Sequence, residues 1–270
     1  MNGRIFLVTG ATDGIGKHTA MRLANTGATV LIHGRDKHKG EDVLKQIKDE
    51  SKNNNIRLYI SDLSTLDGVR KLAEEVKKSE DHLDVLINNA GVFLKNRTET
   101  ADGLETTFAV NVVAPFLLTH CLLDLVRAGS KPRIIITSSI SQTDTVTLTD
   151  LQSHQQYREG HGPYELSKTI DIIMALEMAE KFSDIGITVN TLDPGTVNTK
   201  MLYAGWGPIG IPVNKADNTF LLATDDAYAN VTGKYFLDNT ISNDFSGVCK
   251  DSKLRKQIWK ALENISGVKY

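Results

Sequence analysis

A phenol and an ammonium stand four residues apart in Gly162-Pro163-Tyr164-Glu165-Leu166-Ser167-Lys168. On a helix, positions i and i+4 share a face, so Tyr164 and Lys168 would act as one unit. A neighbouring ammonium favours the phenolate and lowers the phenol's pKa. That makes a general acid/base able to work nearer neutral pH than free tyrosine. Tyr and Lys also share helix faces without any chemical purpose, so the spacing alone decides little. Of the seven tyrosines, however, only Tyr164 has a lysine four residues on. Two further polar groups are placed where chemistry is possible. Ser138-Ser139 closes an apolar run, where a hydroxyl either polarises a substrate or simply makes a turn. Asn111 lies in a helical run four residues before Pro115, which has no N–H to give its carbonyl, so a kink is predicted there. A carbonyl freed at such a kink can hold a water; a buried Asn there is equally a structural device.

The elements that must position these groups alternate in type. Arg4 to Thr9, Thr29 to His33, Arg57 to Ile60, Asp84 to Asn88, Arg133 to Thr137 and Thr188 to Leu192 are short Val/Ile/Leu-rich runs, as expected of strands buried on both faces. A seventh strand is predicted at Lys234 to Leu237. Helical patterns occupy about 14–26, 37–52, 65–79, 103–127, 163–184 and 251–265. Strand–helix alternation of this kind predicts an α/β fold, a Rossmann-type doubly wound parallel sheet of about seven strands flanked by helices. No Pro- or Ser-rich linker divides the chain, so one domain is expected over 1–270, its nucleotide-binding part at about 1–130 and its catalytic and substrate part at about 131–270.

In such sheets ligands bind at the carboxyl ends of the strands. The first turn carries Gly10, Thr12, Asp13, Gly14, Ile15 and Gly16, where a dinucleotide's pyrophosphate would sit on a helix N-terminus. The spacing is G-x-x-x-G-x-G, not the general G-x-G-x-x-G. Gly34-Arg35-Asp36 ends the second strand. The Arg35 guanidinium can clamp a 2′-phosphate bidentately, which favours NADP over NAD. Asp36, by a shift of one residue, would instead meet a ribose hydroxyl and leave NAD possible, or it caps the next helix. Asp62, with Leu63, follows the third strand and either contacts the adenine or caps the helix from Thr65. Asn88 and Asn89 either face a cofactor or make turn hydrogen bonds, and Ala90 with Gly91 leaves space for one.

Bulk properties narrow the function. The 270 residues carry a net charge of −2, with 40% hydrophobic and 24% charged residues. That balance speaks against nucleic acid or an anionic membrane as the main partner. Seven histidines are scattered without ligand-like spacing, so no metal site is expected. Cys121 and Cys249 lie far apart and suit free thiols in a reducing compartment. No signal-peptide pattern and no apolar run of bilayer length are seen, and a cytoplasmic location is expected.

Taken together, these residues closely resemble the short-chain dehydrogenase/reductase family. The likeness covers almost the whole chain: the turn from Thr9 to Gly16, Asn88 to Gly91, Asn111, Ser139, Tyr164 with Lys168, and Pro194-Gly195 after the sixth strand. Within it, the chain resembles the retinol dehydrogenase and WW-domain oxidoreductase branch. The cues are Gly14-Ile15-Gly16-Lys17, Gly34-Arg35-Asp36, Thr232-Gly233-Lys234-Tyr235-Phe236, the Leu254 to Leu262 stretch around Trp259, and the 25-residue separation of Tyr164 from Ser139. It departs from that branch in showing neither an N-terminal membrane segment nor a WW domain. Its lid segment near 199–217 is short and rich in Gly and Pro. The resemblance implies that Tyr164 exchanges a proton with a carbonyl or alcohol oxygen during hydride transfer. It further implies that Lys168 binds the nicotinamide ribose and lowers the Tyr164 pKa, that Ser139 polarises the substrate, and that Asn111 holds a water feeding protons to Lys168. Pro194, Gly195, Val197 and Thr199 would orient the nicotinamide. The expected partner is a small carbonyl or alcohol, with Tyr203, Trp206 and Ile209 to Pro212 suggesting an apolar lid and a lipophilic molecule. A homodimer through the helices at 103–127 and 163–184 is a further expectation. An NADP-binding scaffold with little turnover is the competing reading; a serine hydrolase is weaker, because no Gly-x-Ser-x-Gly elbow surrounds Ser139.

Overall fold

Runs such as Ile5-Phe6-Leu7-Val8 and Val85-Leu86-Ile87 are apolar at every position because both faces of their sheet are covered. The computed structural model describes all 270 residues. Its strands are β1 (Ile5–Val8), β2 (Thr29–Gly34), β3 (Ile56–Ile60), β4 (Val85–Asn88), β5 (Arg133–Thr137), β6 (Thr188–Leu192), β7 (Tyr235–Leu237) and β8 (Thr240–Ser242). They form one sheet in the order β3-β2-β1-β4-β5-β6-β7-β8, parallel except for the last pair. The eighth strand is one more than the sequence suggested. It returns through Asp238 and Asn239, both at positive φ (49° and 60°), the backbone of a tight two-residue hairpin turn.

The helices are α1 (Gly14–Ala24), α2 (Lys37–Ser51), α3 (Leu66–Ser79), α4 (Thr106–Phe108), α5 (Ala114–Arg127), α6 (His161–Lys181), α7 (Lys200–Gly205), α8 (Asn218–Thr224) and α9 (Ser252–Ser266). Alternate strand residues feed two cores. Phe6, Val8, Val30, Ile32 and Ile87 pack with side chains of α1, α2 and α8. Leu7, Leu31, Leu86, Ile134 and Ile136 pack with α3, α5, α6 and α9 in the larger core. Burying one such side chain stabilises by about 1.5–3 kcal/mol, so each alternation in the sequence is strongly enforced.

The helical run predicted over 103–127 begins only at Thr106, where both Glu105 carboxylate oxygens accept backbone N–H groups, of Thr107 and Phe108. It then widens into a π-helical turn over Ala109–Val113, with the Ala114 N–H reaching Ala109 O. The irregularity predicted from Pro115 is therefore present, in the form of one extra residue in the preceding turn. The span Thr106–Arg127 corrects one expectation: at 22 residues with a hydropathy of 1.8, it is long and apolar enough to cross a bilayer. Its apolarity is spent inside the protein, since 72% of that window is buried, against α3 and α6. Cys121 and Cys249 are both free.

α6 is the most enclosed helix, with 15 of its 21 residues buried. α9 covers its outer side, and the last residue, Tyr270, closes the gap by donating its hydroxyl to Phe116 O at 2.6 Å. Tyr270 rests on Phe116, His120, Phe182 and Trp259 with ring centroids 4.8–5.7 Å apart. The helix face expected to carry a homodimer is therefore largely occupied by the chain's own C-terminal residues.

Candidate active site

The sheet reverses direction of winding between β1 and β4, and a groove of about 750 Å³ opens over the strand ends there. Its floor is the turn into α1. A Cβ on Gly10 would lie 2.8 Å from Ala90 Cα, and one on Gly16 only 2.4 Å from Gly10 O. Gly10 also sits at φ +65°, which side-chain-bearing residues avoid. The turn thus has room for backbone alone, and the N-terminus of α1 is left open to an anion. Asp13 caps that helix through Gly14 N (2.8 Å) and holds Lys39 (2.5 Å) and Lys200 (3.1 Å). Burial pushes its carboxyl up, but those hydrogen bonds outweigh this and bring it down to about 2.

At the far end lie Arg35, Asp62 and Leu63. Asp36 does not line the groove; its carboxylate caps α2 by accepting from Lys39 N at 3.0 Å. That settles Asp36 as a cap. The sequence offers Asp62 as a cap of α3, and there the structure differs: Thr65 caps α3, while Asp62 accepts from Ser64 N at 2.9 Å and keeps its place on the groove wall. His33 also lines this end and has no counterpart in the sequence reading. Its Nδ1 accepts from Gly10 N (3.3 Å) and its Nε2 bonds Ser61 O (3.1 Å), so it ties the glycine turn to the end of β3. Burial pushes its imidazole down to about 4.

Ser139, Tyr164 and Lys168 meet at the other end, alongside Pro194, Gly195, Val197 and Thr199. α6 brings the Lys168 ammonium to 5.7 Å from the Tyr164 ring centroid. Of the two serines ending β5, Ser138 is committed to the α6 backbone, donating to Lys168 O at 2.7 Å, whereas Ser139 Oγ accepts only from Ser141 N. The expectation that Lys168 lowers the Tyr164 pKa meets a larger opposing effect. Burial of the phenol raises it, Lys168 and the Ser139 hydroxyl pull it down, Asp193 and Asp171 push it up, and the net direction is upward. Asp193 was not singled out in the sequence. Its oxygens accept from Ile140 N (2.7 Å) and Gly195 N (2.6 Å), clipping together the loops that carry Ser139 and Pro194. Its position beside Pro194-Gly195 was the available signal.

Asn88 and Asn111 stand behind the groove instead of lining it. Asn88 is buried and donates to Thr119 Oγ1 at 3.2 Å, leaving Asn89, Ala90 and Gly91 on the wall. The Asn111 amide is engaged on both sides: its Oδ1 accepts from Val92 N (2.8 Å) and its Nδ2 donates to Val92 O (3.1 Å) and Ser167 Oγ (3.0 Å). It braces the segment after β4 against α6.

Over Tyr164 the lid is aromatic. Trp206, just past α7, packs on Tyr164 (5.3 Å), on His161 (5.0 Å) and on Phe93 (5.0 Å). Val92, Leu94, Val110, Ile140, Leu202 and Ile209 add to the apolar lining around it. Asp217 anchors the returning chain through His18 (2.7 Å) and Arg22. A groove with a backbone-only turn at a helix N-terminus, a cation at one end and a phenol–ammonium pair at the other fits a bound dinucleotide.

Comparison with known proteins agrees. The family model described as short chain dehydrogenase matches residues 4–205, and the chain belongs to that family. It is 31% identical to retinol dehydrogenase 13 of Mus musculus, over 98% of this chain and 84% of that protein. It is 31% identical to retinol dehydrogenase 12 of Homo sapiens, over 99% and 88%, and 30% identical to polyprenol dehydrogenase of Homo sapiens, over 98% and 86%. Among solved structures, a Pseudomonas aeruginosa RhlG/NADP active-site complex superposes with a TM-score of 0.71 at 27% identity, covering 88% of this chain and 96% of that one. A short chain dehydrogenase from Shigella flexneri complexed with NADP gives 0.71 at 28%, covering 87% and 97%. The protein is thus an oxidoreductase acting on CH–OH groups with a nicotinamide dinucleotide.

Proposed function

We propose that this protein interconverts a carbonyl and an alcohol on a small lipophilic molecule, with NADP(H) as its preferred cofactor. One observation carries the reading: Ser139, Tyr164 and Lys168 share the wall of a groove whose outer half is apolar and whose far end holds Arg35. Gly10, Thr12, Gly14, Ile15 and Gly16 would hold the pyrophosphate, Arg35 the 2′-phosphate, and Asp62 with Leu63 the adenine. Ala90, Gly91, Pro194, Gly195, Val197 and Thr199 would surround the nicotinamide. What a bound nicotinamide supplies is hydride transfer; the rest falls to side chains. Tyr164 protonates the substrate oxygen in reduction and recovers the proton in oxidation. Ser139 donates a hydrogen bond to that oxygen, which is worth most as negative charge grows on it. Lys168 fixes the ribose with the N–H it has left over. Asn111 holds the wall behind Lys168 in register.

Support for a lipophilic substrate comes from Trp206, Leu94, Val110 and Ile209, which offer no polar partner to a charged one, and from the retinol and polyprenol named for its relatives. Support for NADP comes from Arg35 on the groove wall and from Asp36, the acid next to it in sequence, being used as the cap of α2 instead of facing the groove. The free thiols suit a reducing, cytoplasmic setting. The test pairs a screen of apolar aldehydes, ketones and alcohols, followed at the NADPH absorbance, with Tyr164→Phe. Turnover should fall by at least about 1,000-fold in the variant, within the range of a lost acid/base group, with NADPH fluorescence on binding unchanged. Substantial remaining turnover would mean that another residue handles the proton.

A further inference from the structure

Charge in α6 extends one turn beyond the Tyr164–Lys168 pair. Asp171 is 1% exposed, and its Oδ2 accepts from Lys168 Nζ at 2.8 Å. A second Lys168 N–H goes to Thr137 O on β5, also at 2.8 Å. An ammonium has three N–H groups, so two are used inside the protein and one remains for the groove. A buried ammonium left alone would carry a heavy desolvation cost, which a carboxylate in hydrogen-bond contact offsets. The surroundings supply few other charges. Asp193, at the end of β6, acts on both Tyr164 and Lys168, and Asp238 on the β7–β8 turn acts on Asp193. His161, at the start of α6, meets Phe93 and Trp206, the two rings that also touch Tyr164. Cys249, on the segment before α9, gives its thiol to Thr169 O of α6.

We propose that Asp171 is a positioning residue for the reaction: it ties the Lys168 ammonium to the β5 side of the site and offsets its charge, so that Tyr164 stands ready as a neutral phenol. The inference rests on the function proposed above and gives it a direction. Reduction of a carbonyl needs a proton on Tyr164 at the outset, whereas oxidation of an alcohol needs the phenolate. An unopposed Lys168 would favour the phenolate; Asp171, with Asp193, works against that advantage. The protonation state that carbonyl reduction needs is then held through neutral pH, with the rate of alcohol oxidation rising as the solution becomes alkaline. Asp171 carries burial's upward push on its own carboxyl, to about 6, against which Lys168 works. A mixture of charge states near that pH makes the Lys168 contact weakest in acid.

Asp171→Asn keeps an acceptor for Lys168 and removes the charge, while Asp171→Ala removes both. The readout is the tyrosinate absorbance of the unliganded protein during a pH titration, taken as the difference between each protein and its Tyr164→Phe counterpart. Asp171→Asn should ionise Tyr164 about one pH unit lower than wild type, the size expected for losing a nearby charge. The alkaline limb of the reduction rate should move down by the same amount, with NADPH affinity held within about twofold of wild type. Asp171→Ala should also lose NADPH affinity, by about tenfold, the equivalent of one hydrogen bond that held Lys168 in place. An unmoved titration in Asp171→Asn overturns the proposal. If that variant melts too early to titrate, stability decides: Lys168→Gln strands a buried carboxylate, so Lys168→Gln with Asp171→Asn should melt higher than Lys168→Gln alone, and no recovery overturns the proposal. The functional reading fails separately, if Tyr164→Phe keeps its turnover.

Discussion

Replacing Arg35 by Ala tests the cofactor end of the groove most directly. Arg35 is exposed at the groove rim, and a guanidinium there meets a 2′-phosphate through charge-assisted hydrogen bonds. Such bonds contribute about 1.5–3 kcal/mol. Exposure to solvent and salt favours the lower part of that range, so about 1.5–2 kcal/mol is expected, or roughly a 10- to 30-fold loss in NADPH affinity. Lys39 is another cation on this wall, but Asp13 already holds its ammonium at 2.5 Å. That ion pair would have to break before Lys39 could replace Arg35. NADH lacks the phosphate and should lose less than about twofold. The assay is a fluorescence titration of each dinucleotide into wild type and Arg35→Ala, repeated at two salt concentrations. The salt dependence of NADPH binding should flatten in the variant. Equal losses for the two dinucleotides would refute the phosphate clamp and would make Arg35 a contributor to the shape of the groove alone.

Two other outcomes follow from buried groups outside the chemistry. His33 is neutral in the fold, with its imidazole at about 4 against an ordinary 6.5. As pH falls below 6.5 the unfolded chain gains a proton that the folded protein refuses, so His33 costs up to about 3 kcal/mol of stability by pH 4. Asp171, pushed up to about 6, works in the opposite sense between pH 6 and 4. The difference in acid stability between wild type and His33→Gln isolates the His33 share, and denaturant midpoints measured across that range should show wild type losing more. Tyr270→Ala should lower stability by about 2–4 kcal/mol, below the roughly 3–5 of fully buried aromatic truncations because Tyr270 is half-buried, whereas Tyr270→Phe should cost about 1 kcal/mol for the hydrogen bond to Phe116 O. Thermal melts at one pH compare the three proteins.

The parallel core was legible because its strands are apolar on both faces, which leaves little choice of element type. β8 was missed for a local reason. Its hairpin turns on Asp238-Asn239 at positive φ, without the glycine that usually marks such a turn. α7 hid in a segment whose Gly and Pro content reads as loop, although Thr199 caps it through Leu202 N, and α8, just beyond that segment, is only 7 residues long, too short to show a helical period. Spacing found Tyr164 and Lys168, yet it overstated the effect of one on the other, because burial and two acids weigh more than the ammonium. Asp171 lies three residues beyond Lys168, within an apolar stretch from Ile170 to Ala175, so an i, i+3 charge pair was there to be read. His33 offered no such hint: its contacts, Gly10 and Ser61, are brought to it by two different strand ends.

The way α6 is enclosed has a consequence for how the protein opens and closes. Its amides lie between the sheet and α9, under a C-terminal residue held by four aromatic side chains, so they are released to solvent only when the whole molecule unfolds. The lid from Lys200 to Pro212 has none of that cover, with Tyr203, Ile209 and Ile211 about half exposed or more. One site is therefore assembled from deeply covered backbone on one side and thinly covered backbone on the other. Substrate entry can proceed by excursions of the lid while the phenol and the ammonium keep their separation, and turnover need not wait on any motion of the helix that performs it.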